Sequence, residues 1–219
     1  MKLDWTVRAV DAPVPPLAAD AVHLWLLAAG ARATHVDALL AAYCGVDAVT
    51  LAHDAHGKPL LPVQKHGGQT LHFNLAHSGE RLLLAIAHAD VGVDLEHART
   101  VKRRDALLAR CFTGREQAAI RAAADPDDAL LRAWTAKEAL VKAIGRGIAY
   151  GLKRVELALD GEAPQLETLD GPAAPASAWT LATFVPEAGY RAALAVRGPL
   201  GSVSGFRTVS EEQSISCRG

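Results

Sequence analysis

The hexapeptide Val91-Gly92-Val93-Asp94-Leu95-Glu96 alternates apolar residues with small or acidic ones at a period of two. Side chains on a strand change face at that period, so Val91, Val93 and Leu95 share one face and suit a core. Gly92, Asp94 and Glu96 share the other face, where Gly92 leaves space beside two carboxylates that point the same way. Neighbouring carboxylates repel unless a cation or a proton lies between them. A polar strand face washed by water accounts for the same alternation, so this segment alone leaves both readings open.

A second segment, Trp134-Thr135-Ala136-Lys137-Glu138-Ala139-Leu140-Val141-Lys142, has helical spacing. At about 100° per residue, Leu130, Leu140, Val141 and Ile144 fall on the side of Trp134. Lys137 falls inside that apolar arc, with Glu138 and Lys142 on its flank. Glu138 and Lys142 fit an ordinary surface pair at i,i+4. Lys137 does not, because a lysine in a buried stripe is costly unless it is paired or reaches water. If the arc faces a cleft, the position of Lys137 makes sense.

The chain has 219 residues, enough for one large domain or two small ones, and 50% hydrophobic content supports a sizeable core. A net charge of −1 favours neither nucleic acid nor an anionic membrane as a partner. Cys44, Cys111 and Cys217 are widely spaced and odd in number, which fits a reducing compartment and excludes a cysteine-based zinc site. The first residues lack a signal-peptide pattern, and the apolar run from Ala21 to Ala29 is too short to cross a bilayer. A cytoplasmic protein is expected.

Met1 to Pro16 reads as an irregular arm or edge strand, and Ala21 to Ala29 as a strand or a buried helix. Val36 to Tyr43 has helical spacing, with Gly45 as a stop. Three apolar strands follow at Thr70–Leu75, Arg81–Ala87 and Val91–Leu95, joined by turns short enough for hairpins. A basic helical stretch covers Arg99 to Ala124. Asp125-Pro126 then caps a helix that ends near Gly145 or Gly147. Further strands are expected at 153–159, 178–185 and 190–196, with a loop over 161–175. Helix followed by three strands thus occurs twice. The last stretch, from Gly198 onward, is polar and glycine-rich and is expected to be loose.

With these residues assembled, the chain resembles an Sfp-type 4′-phosphopantetheinyl transferase. That family pairs an (I/V)-G-(I/V)-D-x-E strand with W-x-x-K-E-(A/S)-x-x-K some forty residues on, as read here at Val91–Glu96 and Trp134–Lys142. Gly57-Lys58-Pro59 resembles its G-K-P, Phe73-Asn74-Leu75-Ala76-His77-Ser78 its F-N-(I/V)-S-H-S, and Phe112-Thr113-Gly114-Arg115-Glu116 its F-(S/T)-x-x-E. Five motifs in order are specific where any one would be weak.

The resemblance implies an α+β monomer of two similar α/β halves related by a pseudo-two-fold axis. Residues 1–98 would be the half facing coenzyme A, 99–200 the half with the Trp134–Lys142 helix, and 201–219 a loose tail. It implies transfer of the phosphopantetheine arm of coenzyme A to a serine of an apo acyl or peptidyl carrier protein, with 3′,5′-ADP released. By the same resemblance Asp94, Glu96 and Glu138 would hold Mg²⁺ or Mn²⁺. Glu138, Lys142 and Lys137 would be catalytic, Glu138 drawing the serine proton directly or through a water on the metal. Lys58, His77, Ser78 and Lys142 would hold coenzyme A. Glu116 reads equally as a site carboxylate or a helix-surface residue.

The basic run Arg99, Lys102, Arg103, Arg104, Arg110, Arg115 and Arg121 reads as a solvated helix face or as a dock for an acidic carrier protein. It lacks the interleaved aromatics of a nucleic-acid site. The chain departs from the family at Ala76, where a serine is usual, and in the few basic residues of Asp20–Cys44. Two other readings compete: a non-catalytic carrier-protein binder of the same fold, and a Mg²⁺-dependent phosphohydrolase. The intact carboxylates oppose the first, and the F-N-x-x-H-S and W-x-x-K-E segments the second.

Overall fold

The computed structural model describes residues 1–9, 12–53, 59–61, 65–66 and 68–208. In chain order the elements are β1 (Trp5–Arg8), β2 (Ala21–Ala28) and α1 (Arg32–Cys44). Two short ladders follow, β3 (Ala52–His53) with β4 (Pro59–Leu60), and β5 (Lys65–His66) with β6 (Gln69–Thr70). Then come β7 (His72–Ser78), β8 (Arg81–Ala87), β9 (Val91–His97), α2 (Arg104–Cys111), α3 (Gly114–Ala122) and α4 (Pro126–Ile144). The rest of the described chain supplies β10 (Val155–Ala158), β11 (Gln165–Leu169), β12 (Trp179–Phe184), β13 (Tyr190–Arg197) and β14 (Ser202–Thr208).

The fold is α+β, and period two sorts its strands into layers. In β8, Leu82, Leu84 and Ile86 meet Val36, Leu39, Leu40 and Tyr43 of α1. Leu83, Ala85 and Ala87 meet Val91, Val93 and Leu95 of β9 and Leu194 and Val196 of β13. The opposite face of β13 offers Ala193 and Ala195 to Ala136, Ala139 and Ala143 of α4. Helix, sheet, sheet and helix therefore stack in that order. The first sheet runs β1-β14-β2-β8-β7 and the second β12-β13-β9.

Three expectations are corrected. The turn at His88–Asp90 closes no hairpin, because β8 pairs with β2 and β7 while β9 pairs with β13. The chain changes sheets there, and only the distant β13 decides it. The stretch expected to be loose holds β14, which lies parallel between β1 and β2. Its Phe206 packs on Trp25, and its Gly205 lets the Trp5 ring lie against the backbone. Glycine there marks a close approach rather than slack; residues 209–219 lie outside the described residues. The loop expected over 161–175 contains β11, paired with β10.

The basic helical stretch divides at Phe112-Thr113. Thr113 and Glu116 form a capping box that starts α3. The start of α4 follows the sequence: the Asp125 side chain accepts from the amides of Asp127 and Asp128, and Pro126 opens the helix. Gly145, at φ 82°, ends it in the left-handed conformation that glycine adopts without strain. No helix among the described residues is long and apolar enough to cross a membrane.

Candidate active site

The carboxylate face of β9 looks at α4. Gly92 lies opposite Ala195, Asp94 opposite Ala193 and Glu96 opposite Arg191. The space beside Gly92 is filled, because a Cβ there would overlap the Ala139 carbonyl oxygen and the Ala143 amide nitrogen. Gly92, Ala193 and Ala195 thus form a floor shallow enough for α4 to lie directly on the strand. That approach brings Glu138 and Lys142 to Asp94, which is 48 residues before Lys142 in the chain.

Asp94 and Glu138 are both buried, each 7% exposed. Lys142 Nζ donates to Asp94 Oδ1 at 2.7 Å. Asp94 Oδ2 and Glu138 Oε1 are buried and have no hydrogen-bond partner. Burial pushes the Asp94 pKa up to about 6, against the pull of Lys142 and with a further push from Glu96. Burial also pushes Glu138 up to about 7, with Asp94 and Glu96 adding and Lys142 opposing. Glu96 is half-buried and turned toward Arg99, whose guanidinium lies 2.5 Å from Glu96 Oε2.

Raised carboxylate pKa values have a consequence for stability. The unfolded chain releases these protons near the ordinary values of 3.8 and 4.5, the folded chain near 6 and 7. The folded state therefore binds more protons between those limits, and stability is lost as pH rises through about 6 to 7. In EDTA the melting temperature is expected to fall from pH 5 to pH 8, with a smaller fall in Glu138→Gln. Equal slopes in the two proteins would show that Glu138 is not held protonated.

Among the described residues no three His, Cys, Asp or Glu side chains are arranged as a ready metal cage. Glu96 is drawn to Arg99, and one Asp94 oxygen to Lys142. The donor set nonetheless suits a hard divalent cation: every available group is a carboxylate oxygen, and two of those oxygens are buried and unpartnered.

Lys137 and Glu116 lie elsewhere. Lys137 does not reach the carboxylates, and the apolar arc of α4 faces the core rather than a cleft. Its ammonium donates to Glu116 Oε2 at 2.7 Å, the Leu152 carbonyl at 3.0 Å and the Cys111 carbonyl at 3.2 Å. All three donors are thus engaged, and the Phe112 ring lies beneath. Burial lowers the Lys137 pKa, with Glu116 opposing. Glu116 is neither exposed nor in the site: it is 1% exposed and also accepts from the amides of Thr113 and Leu157.

His77 is exposed on β7, and by alternation on the face opposite Asn74 and Ser78. The Ser78 hydroxyl accepts from the His97 amide at 2.9 Å. Lys58 lies outside the described residues. In the basic run, Arg99, Arg104, Arg115 and Arg121 pair with Glu96, Asp127, Glu167 and Asp105, so much of its charge is answered within the chain. Sequence reasoning missed Asn74 as a support of β9; its Oδ1 accepts from the Val93 amide at 2.9 Å. A buried asparagine on an otherwise apolar strand is the signal that would have found it.

In this α+β protein the long helix thus seats one glutamate and one lysine on an edge-strand aspartate. Residues 90–195, which run from β9 through α4 to β13, match the 4′-phosphopantetheinyl transferase superfamily. The 4′-phosphopantetheinyl transferase HetI of Nostoc sp. is 36% identical over 166 residues, covering 73% of this chain and 66% of the relative. The 4′-phosphopantetheinyl transferase psf-1 of Bacillus pumilus is 33% identical over 114 residues, 50% of this chain and 46% of that one. A crystal structure of Thermotoga maritima holo-[acyl-carrier-protein] synthase aligns with 51% of this chain and 64% of its own, at 17% identity and a TM-score of 0.41. The chain belongs to the 4′-phosphopantetheinyl transferase superfamily. It spans 66% and 46% of the lengths of the two curated relatives.

Proposed function

We propose that this protein moves the 4′-phosphopantetheine arm of coenzyme A onto a serine hydroxyl of an apo acyl or peptidyl carrier protein, with Mg²⁺ as cofactor. The carrying observation is the buried Asp94–Glu138 pair, with two unpartnered oxygens, beside the Lys142 ammonium. In the reaction the serine oxygen bonds to the β-phosphorus, the bond from that phosphorus to the bridging oxygen breaks, and 3′,5′-ADP leaves. Asp94, Glu96 and Glu138 would hold Mg²⁺, which when bound neutralises charge on the pyrophosphate. Phosphoryl transfer of this kind depends mainly on positioning and charge neutralisation.

The chain's own residues supply both. Lys142 is half-buried, so its Nζ can keep Asp94 and still meet a phosphate oxygen. Glu138 is buried beside Asp94 and Lys142, a place that suits a group that accepts the serine proton or orders the water that does. The small residues under α4 fix the spacing between these groups.

Intact-mass spectrometry of an apo carrier protein with this protein, Mg²⁺ and coenzyme A tests the proposal. A gain of one phosphopantetheine, abolished by EDTA, is the expected result. No gain with either an acyl or a peptidyl carrier would overturn it. Glu138→Gln is expected to slow transfer by about 100-fold or more. A folded variant keeping over about a tenth of the wild-type rate would remove Glu138 from the chemistry.

A further inference from the structure

β9 is the last strand of its sheet and β7 the last strand of the other. An edge strand presents unpaired amides, yet two on the open side of β9 are received by side chains of β7. Asn74 Oδ1 takes the Val93 amide and Ser78 Oγ takes the His97 amide, each at 2.9 Å and each across the same offset of 19 residues. The amide between them, that of Leu95, faces the same open side of β9 by alternation. At the matching offset β7 has Ala76, which carries no side-chain acceptor.

We infer that Asn74 and Ser78 are positioning residues that clamp β9 at both ends of the Asp94–Glu96 segment and so set where those carboxylates sit relative to α4. The inference rests on the transferase reading above. Asp94 and Glu96 lie on the α4 side of a strand whose other edge is held by β13. Without the clamp, β9 is held by β13 and by apolar packing alone, neither of which fixes its position along β7, and Asp94 moves with any shift of that edge. A displacement of about 1 Å at such a site is enough to cost two orders of magnitude in rate. Asn74 is 5% exposed, so its amide group has no ready exchange partner in water. Ser78 stands at the more open end. Neither residue has to touch substrate to act in this way.

The test compares wild type with Asn74→Ala, Ser78→Ala and Ser78→Thr, the last retaining the acceptor. Hydrogen exchange at the Val93 and His97 amides, Mg²⁺ titration by calorimetry, and steady-state transfer are measured on each. Expected for both alanine variants are faster exchange at the matching amide, about 3- to 10-fold weaker Mg²⁺ binding and about 10-fold lower kcat. Their KM for coenzyme A should stay within about twofold, and Ser78→Thr should recover wild-type values.

Faster exchange with unchanged Mg²⁺ binding and kcat overturns the inference, since the bonds would then be only structural. A rise in KM for coenzyme A at constant kcat in Ser78→Ala also overturns it and returns Ser78 to a coenzyme contact. If Asn74→Ala fails to fold, Ser78→Ala at the open end carries the test alone. A wild type that transfers nothing refutes the transferase reading, whereas an active wild type with indifferent variants refutes only the clamp.

Discussion

Gly92→Ala should unseat α4. The added methyl group would overlap the Ala139 carbonyl oxygen and the Ala143 amide nitrogen and approach the Ala143 Cα to 2.9 Å. These are backbone atoms of one helical turn, so no side-chain rotation relieves the clash. Either β9 or the whole helix must move, and both are held in the core: Ala139, Leu140 and Val141 are fully buried, and Val93 equally so. Overpacking a tight core costs about 1–3 kcal/mol, more when the backbone must shift, and about 3 kcal/mol or more is expected here. At this chain length that lowers the melting temperature by roughly 2–4 °C per kcal/mol. Transfer should fall further than stability, because the helix displaced carries Glu138 and Lys142. Urea unfolding with a midpoint close to wild type would mean that α4 does not lie on Gly92.

Lys137→Met has the second large effect, and it is an effect on folding. The Lys137–Glu116 pair is completely buried, with both side chains at 0% exposure. It joins α4 to α3 by its charges, to α2 through the Cys111 carbonyl and to the segment before β10 through the Leu152 carbonyl. Removing one partner of a buried pair strands the other charge and costs about 3–5 kcal/mol. Glu116→Gln should cost less than Lys137→Met, since it keeps an oxygen for one of the two backbone amides that Glu116 receives. The double variant Lys137→Met/Glu116→Gln should be less destabilised than the sum of its parts, because no unpaired charge remains. A double-mutant cycle with additive losses would show that the two side chains are not coupled.

The two predictions separate neighbouring letters of one motif. In Trp134-Thr135-Ala136-Lys137-Glu138, the lysine points into the core and the glutamate toward β9. A helical wheel places them about 100° apart and identifies Lys137 as the anomaly. It cannot say that Glu116, 21 residues earlier, is the partner that resolves it. The same holds for Glu96: its place on the Asp94 face was legible from alternation, its pairing with Arg99 was not.

Local pattern accounts for much of this protein. Period two in Val91–Glu96 put Asp94 and Glu96 on one face, Asp125-Pro126 and Gly145 bounded α4, and five ordered motifs carried the family. These are legible because backbone geometry acts over a few residues. The tertiary structure alone decided that β9 leaves β8 for β13, that β14 returns to fill the gap between β1 and β2, and that Gly92 admits a helix rather than an open space. Each of these depends on which distant segment covers a face, and periodicity marks a face without identifying its cover. Asp94 meets Lys142 across 48 residues because a glycine and a row of alanines allow two backbones to touch.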